Sequence, residues 1–140
     1  MKKLQLYLIT LFLLSGIMLT ACSGSASNPL IGTWKLVSYG PPGNLTPAVL
    51  DIDTSITFKE DGKVEGNLGC NGFGGDYTVD GNTITFGPIV STLMFCDGPV
   101  GDQETTTLNV FAETVSFAME GDTVTITSAD GSAVVVLARK

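Results

Sequence analysis

The chain has 140 residues, a formal net charge of −7 and no histidine, with a mean hydropathy of +0.33. That length supports one domain, and the lack of histidine removes Ser-His-Asp and Cys-His catalysis, imidazole base chemistry and His–Cys zinc sites. Hydropathy and charge separate along the chain: residues 1–21 hold 14 apolar residues, while the remainder holds all fourteen acids against five bases (Lys35, Lys59, Lys63, Arg139, Lys140), a side-chain charge of −9 that opposes a nucleic-acid partner.

The first element in chain order is an export signal. Met1-Lys2-Lys3 is a short basic region, and Leu4 to Thr20 follows as an almost unbroken apolar run. Leu19-Thr20-Ala21-Cys22 resembles a bacterial lipobox, and Ser23 to Ser27 after it is small and polar. The expectation is a cleaved signal over residues 1–21, a diacylglycerol thioether on Cys22 and a tether over residues 22–29. The membrane is then reached through the lipid on Cys22, at the cell membrane or outer membrane, with the domain on the extracytoplasmic side. An ordinary signal peptide or an uncleaved anchor is the alternative, since a run of seventeen residues is near the lower limit of about 17–25 for a bilayer span. With Cys22 set aside, Cys70 and Cys96 remain, an even pair in an oxidising compartment with twenty-five residues between them. A disulfide is predicted, free buried thiols being the other reading.

The folded part is expected over residues 30–140. A first strand, Gly32 to Tyr39, carries the only tryptophan, Trp34. Residues 40–53, with Pro41-Pro42-Gly43, read as a long loop. Asp61-Gly62, Asp80-Gly81, Gly121-Asp122 and Asp130-Gly131 then sit between runs of alternating apolar and polar residues, as hairpin turns require. Their flanks predict strands Thr54–Lys59 with Lys63–Leu68, Asp76–Val79 with Thr83–Phe86, Val115–Met119 with Thr123–Thr127, and finally Ala133–Ala138. Fifteen threonines after Cys22 suit the half-exposed faces of an antiparallel sheet. Residues 103–113 lack glycine and proline, and Leu108, Phe111, Ala112 and Val115 fall at helical spacing; a short helix is expected, with Asp102 as N-cap. The fold class is mainly β (α+β): a curved antiparallel sheet or incomplete barrel of about eight strands with one short helix packed on it.

The densest motif is Gly69-Cys70-Asn71-Gly72-Phe73-Gly74-Gly75-Asp76-Tyr77. It fails as a phosphate loop, because a strand follows and no Lys-Ser/Thr is present. Its glycines suit tight backbone geometry where the chain turns between strands, with the Asn71 amide holding the turn. Together with Leu30-Ile31-Gly32-Thr33-Trp34-Lys35-Leu36, Phe86-Gly87-Pro88-Ile89, Thr92-Leu93-Met94-Phe95-Cys96 and Gln103-Glu104, this order resembles the META domain of the HslJ-like family over about residues 28–140. The resemblance implies a small, mainly β domain, commonly exported or lipidated and linked to heat shock, antibiotic resistance, and secretion or motility. It carries over no catalytic residue. It marks Gly69, Cys70, Asn71, Gly75, Tyr77, Thr92, Cys96 and Glu104 as structural motif positions and matches Cys70 and Cys96 to the family's two cysteines. Family members often have arginine after the threonine, where this chain has Leu93.

Other clusters read as structural. Asp97, Asp102 and Glu104 flank a Gly98-Pro99-Val100-Gly101 turn without the ligand spacing of an EF-hand, so a solvated acidic turn that also caps the helix is preferred to a Ca²⁺ site. Glu104 also suits the positive end of the helix dipole. Asp51 and Asp53 form a carboxylate pair of the kind that serves glycoside chemistry, but read as a loop edge. Trp34, Phe58, Tyr77 and Phe86 are expected in the core. No metal, cofactor or enzymatic activity is predicted. The expected function is an envelope lipoprotein acting as an interaction or stress-related module with an envelope protein partner. The alternative is a carrier holding a lipid or other apolar ligand inside the barrel, which a void of about 300 Å³ or more would favour.

Overall fold

A computed structural model describes residues 27–140. Ten strands and one helix follow in chain order: β1 (Gly32–Gly40), β2 (Thr46–Pro47), β3 (Ser55–Phe58), β4 (Lys63–Asn67), β5 (Gly72–Asp80), β6 (Thr83–Phe86), β7 (Val90–Ser91), α1 (Gly98–Val110), β8 (Thr114–Glu120), β9 (Thr123–Thr127) and β10 (Val134–Arg139). Eight of the strands run antiparallel in the order β10-β9-β8-β6-β5-β4-β3-β1, and β1 pairs again with β10 to close a barrel. The closing register runs from Trp34 opposite Arg139 to Gly40 opposite Val134. The curved or incomplete sheet expected from the sequence is thus a complete ring. Two short strands lie outside it, β2 on β1 within the expected 40–53 loop and β7 on β5.

Alternation explains the ring's interior. Ile56 and Phe58 of β3, Tyr77 of β5, Val115 and Phe117 of β8, and Val124 and Ile126 of β9 all point inward and are buried. With Trp34, Leu36, Ile84, Phe86, Val135 and Leu137 they belong to one continuous apolar cluster. Phe58 meets the edge of Tyr77 at a centroid distance of 5.0 Å, and Phe86 stacks on Phe111 at 4.7 Å. The four aromatics assigned to the core are there.

The antiparallel path gives the barrel two unlike ends. At one, the turn end, strands reverse through short turns after β3, β5 and β8; Gly81 and Gly121 both sit at φ +58°, the left-handed geometry such turns require. The chain's entry into β1 and its exit from β10 share that end. Leu30 is fully buried there and accepts a 2.7 Å hydrogen bond from the Trp34 indole, while the Arg139 guanidinium lies 4.3 Å from the indole centroid. At the opposite, loop end lie residues 41–54, the β4–β5 connection, the β9–β10 loop and the excursion 87–113 that carries β7 and α1.

The helix differs from expectation. It begins five residues earlier than predicted and ends at Val110; Asp97, not Asp102, is the N-cap, accepting from the Gly98 N–H at 2.7 Å. Gly98-Pro99 is the opening of the helix and not a separate turn, which proline permits because the first helical N–H groups lack partners anyway. The buried helical residues are Gln103, Glu104, Thr107 and Val110. Phe111, one of the spacing positions, is the buried C-cap, whereas Ala112 is exposed and Val115 belongs to β8.

Candidate functional site

The motif residues converge at the loop end. Asn71 closes the four-residue connection between β4 and β5 and is buried. Its backbone N–H donates to Glu104 Oε2 at 2.7 Å and its Nδ2 donates to Glu104 Oε1 at 2.7 Å. The same Nδ2 lies 3.1 Å from the Met94 carbonyl and 3.2 Å from Cys70 Sγ. On the other side of the amide, Oδ1 accepts from Thr92 Oγ1 at 2.7 Å and from the Met94 N–H at 2.8 Å. One side chain therefore ties the β4–β5 connection, helix α1 and the segment after β7. Glu104 is 9% exposed and is satisfied by amide donors; its role as a dipole-favoured acid at the helix start gives way to that of an acceptor for Asn71.

The Cys70–Cys96 disulfide fastens the same segment a second time, with Cα atoms 6.2 Å apart. Gly69 has φ +114°, and a Cβ there would come within 2.6 Å of Ile52 Cγ2. A Cβ on Gly75 would lie 2.6 Å from Ile89 Cδ1 and 2.9 Å from the Pro88 carbonyl. Gly75 lets the start of the excursion lie directly on β5, and Gly69 lets the 41–54 loop and α1 close on the β4–β5 connection. Gly72 to Gly75, read from the sequence as a turn region, belongs to strand β5, which so begins four residues before the predicted Asp76, and the turn itself is Leu68 to Asn71. Tyr77 stands apart from the cluster at the turn end, donating to the Lys59 carbonyl and accepting from Asn28 Nδ2, both at 2.9 Å. Burial pushes the Tyr77 phenol above its ordinary value, and the Asn28 hydrogen bond opposes that shift.

Gln103 has a comparable role that the sequence reading missed. Fully buried, it donates from Nε2 to the Leu68 carbonyl, and its Oε1 accepts from the Val49 N–H at 2.9 Å, bridging α1 to two loops. Its place beside Glu104 in the motif was the only available signal. Tyr39 adds a contact to the helix start through the Pro99 carbonyl at 3.4 Å. Burial raises the Tyr39 phenol pKa, and the Asp102 carboxylate raises it further.

The clamp presents an unusual surface. Between its fastening points at Thr92 and Cys96, Leu93 is 97% exposed, Met94 61% and Phe95 91%. The Met94 backbone is held at both N–H and carbonyl while its side chain and both neighbours stand in water. Open grooves flank this ridge: one of about 430 Å³ between Leu93, Phe95 and helix residues Thr105, Leu108 and Asn109, and one of about 630 Å³ over Gly72, Gly74 and Val90. Both lie outside the packed interior.

The remaining candidate residues do not assemble. Asp97 caps the helix, Asp102 faces Tyr39, and Glu104 is engaged by Asn71. Among the described residues no group of three or more cysteine or carboxylate side chains is arranged to hold a metal. Asp53 pairs with Lys140 at 2.5 Å, and Asp51 is exposed at φ +62°. Cys22 lies outside the described residues, as does the apolar run before it. Among those described, no helix is long and apolar enough to cross a membrane.

Comparison with known proteins agrees with this geometry. An NMR structure of a protein from Burkholderia xenovorans superposes with a TM-score of 0.65 at 20% identity, covering 79% of this chain and 83% of that one. A second NMR structure gives 0.58 at 17% identity over 76% and 88% of the two chains. The crystal structure of a DUF4847 family protein from Bacteroides vulgatus gives 0.58 at 15% identity over 79% and 94%. At those identities the likeness is one of fold. No curated protein matches the sequence. The META domain profile matches residues 28–140, which spans the whole barrel, the Asn71–Glu104 clamp and both bonded cysteines: the chain belongs to the META domain family.

Proposed function

We propose that this protein is a non-catalytic interaction module of the cell envelope, anchored by a lipid on Cys22 and engaging a protein partner through the Leu93-Met94-Phe95 ridge. The observation that carries this reading is that ridge. Three adjacent apolar side chains are held in water by a disulfide and by three hydrogen bonds with the Asn71 side chain, which the buried Glu104 carboxylate holds in turn. Covering a leucine or phenylalanine contributes about 1.5–3 kcal/mol each, and a rigid backbone avoids the ordering cost of binding. Contiguous exposed apolar surface on a folded domain marks an interaction site.

The packed interior favours this reading over the carrier, because Trp34, Phe58, Phe86 and Phe111 occupy the volume a ligand would need. The lipobox resemblance and the position of the N-terminal segment support the anchor. Described structure starts at Ser27 at the turn end, and five residues back to Cys22 span at most about 17 Å. A lipid on Cys22 then keeps the turn end near the bilayer and leaves the ridge at the opposite end free.

Two measurements test the proposal. Cys22→Ala should abolish acyl labelling and release the protein from membranes; unchanged retention would show an uncleaved anchor. A photo-crosslinking residue at position 95 should capture a discrete envelope protein in intact cells, whereas one at position 80 should not. Equal capture at both positions overturns the assignment of the ridge.

A further inference from the structure

We infer that the ridge takes a basic, amphipathic segment of a polypeptide, with an apolar face for Leu93, Met94 and Phe95 and Lys or Arg on its flanks. This rests on the interaction reading above and specifies its partner. The charge distribution around the ridge carries it. No lysine or arginine occurs between Lys63 and Arg139, a stretch that contains ten of the fourteen acids. The described ion pairs, Lys59–Glu65, Lys63–Asp76, Arg139–Asp122 and Lys140–Asp53, use four of the five bases that follow the signal. None of them reaches the excursion 87–113, whose charged residues are Asp97, Asp102, Glu104 and Glu113. Asp51, Asp97, Asp102, Glu113 and Asp130 at the loop end are likewise outside these pairs.

An apolar ridge beside acids that no described ion pair neutralises selects its partner twice. The apolar contacts supply affinity, and the field attracts cationic segments and repels anionic ones. The same field argues against a bilayer as the occupant, since anionic headgroups draw basic surfaces and not acidic ones. The two grooves beside the ridge, one along α1 and one over β5, leave room for side chains spaced along a bound amphipathic segment.

The test uses the full chain in phosphatidylcholine nanodiscs, empty nanodiscs as reference, and two synthetic helical peptides, one of Leu and Lys and one of Leu and Glu. The Leu/Lys peptide should bind at least about tenfold more tightly than the Leu/Glu peptide, and more weakly as salt is raised. L93S/F95S should lose about tenfold or more of that affinity. The melting temperature should hold, because both side chains already stand in water. D80N/E120Q, which removes two acids at the turn end, should change affinity less than about twofold by the screening of distant charges. Equal binding by wild type and L93S/F95S overturns the inference, as does equal binding of the two peptides. Insertion of the ridge into phosphatidylglycerol vesicles without peptide binding also overturns it and assigns a membrane instead. If the position-95 crosslink still captures an envelope protein while the Leu/Lys peptide fails, the interaction reading stands and the basic partner class falls.

Discussion

The two ends of this barrel are closed by different chemistry. At the turn end, a buried Leu30 and Trp34 are covered by the arriving N-terminal segment, with Arg139 over the indole and Tyr77 joining Asn28 to Lys59. At the loop end, the helix that covers the opening buries Gln103, Glu104 and Thr107 beside Val110, and hydrogen bonds with the Cys70–Cys96 disulfide do the joining. An apolar plug tolerates small shifts, because dispersion contacts are many and undirected. A polar clamp fixes one arrangement, because each donor must meet its acceptor or leave a buried group unsatisfied. The difference gives the turn end a tolerant apolar closure and the loop end a clamp that also positions a surface ridge.

The largest effects should separate those roles. Trp34→Ala should cost about 3–5 kcal/mol by opening a large cavity. Asn71→Ala should cost about as much, since it leaves Glu104 buried without its side-chain donor. They differ in what survives at low temperature: proteolysis between Ser91 and Cys96 should accelerate in Asn71→Ala and stay slow in Trp34→Ala. Equal cleavage would mean that the clamp does not hold the ridge. Next in size, Cys70→Ser with Cys96→Ser should cost about 3–4 kcal/mol on the chain-entropy account of a closed loop, read as a lower denaturation midpoint. Intact-mass analysis should find the wild-type domain 2 Da lighter than its reduced form, one hydrogen atom lost from each thiol of the Cys70–Cys96 pair. Smaller again, Asp97→Ala removes the helix cap and should cost about 1 kcal/mol. If the stability loss reaches that of Asn71→Ala, the helix and not the clamp dominates the loop end.

The same contrast governs how much could be read from the sequence. Asp-Gly and Gly-Asp turns and period-two alternation are local, so Thr83–Phe86 and Thr123–Thr127 emerge with the boundaries predicted. The helix start did not, because its inward positions Gln103, Glu104 and Thr107 carry no apolar signal at helical spacing and the only proline lies in its first turn. Strands β2 and β7, two residues each, are too short to show alternation. Asn71 and Glu104 are 33 residues apart, and no spacing rule pairs a buried amide with a buried carboxylate across that interval; only the family resemblance placed them together. Leu93, Met94 and Phe95 mislead for the converse reason, since three adjacent apolar residues ordinarily signal burial.

The smallest expected effect tests the loop end where the clamp does not reach. In the β9–β10 loop, Asp130 accepts from the Ser132 N–H at 2.9 Å and from Ser128 Oγ at 2.8 Å. The Ser132 hydrogen bonds, chiefly its backbone N–H, and then that of Ser128, lower the Asp130 pKa to about 2 from an ordinary 3.8. A carboxyl whose pKa is lower in the folded state binds protons less readily there than in the unfolded chain. Its contribution is therefore complete above pH 3.8 and is lost as pH falls toward 2. Asp130→Asn should flatten the fall in melting temperature across that window. Above it, the variant should differ from wild type by a small constant, because the group is exposed and its hydrogen bonds compete with water. An unchanged acid limb in the variant would place the low-pH loss elsewhere than at Asp130.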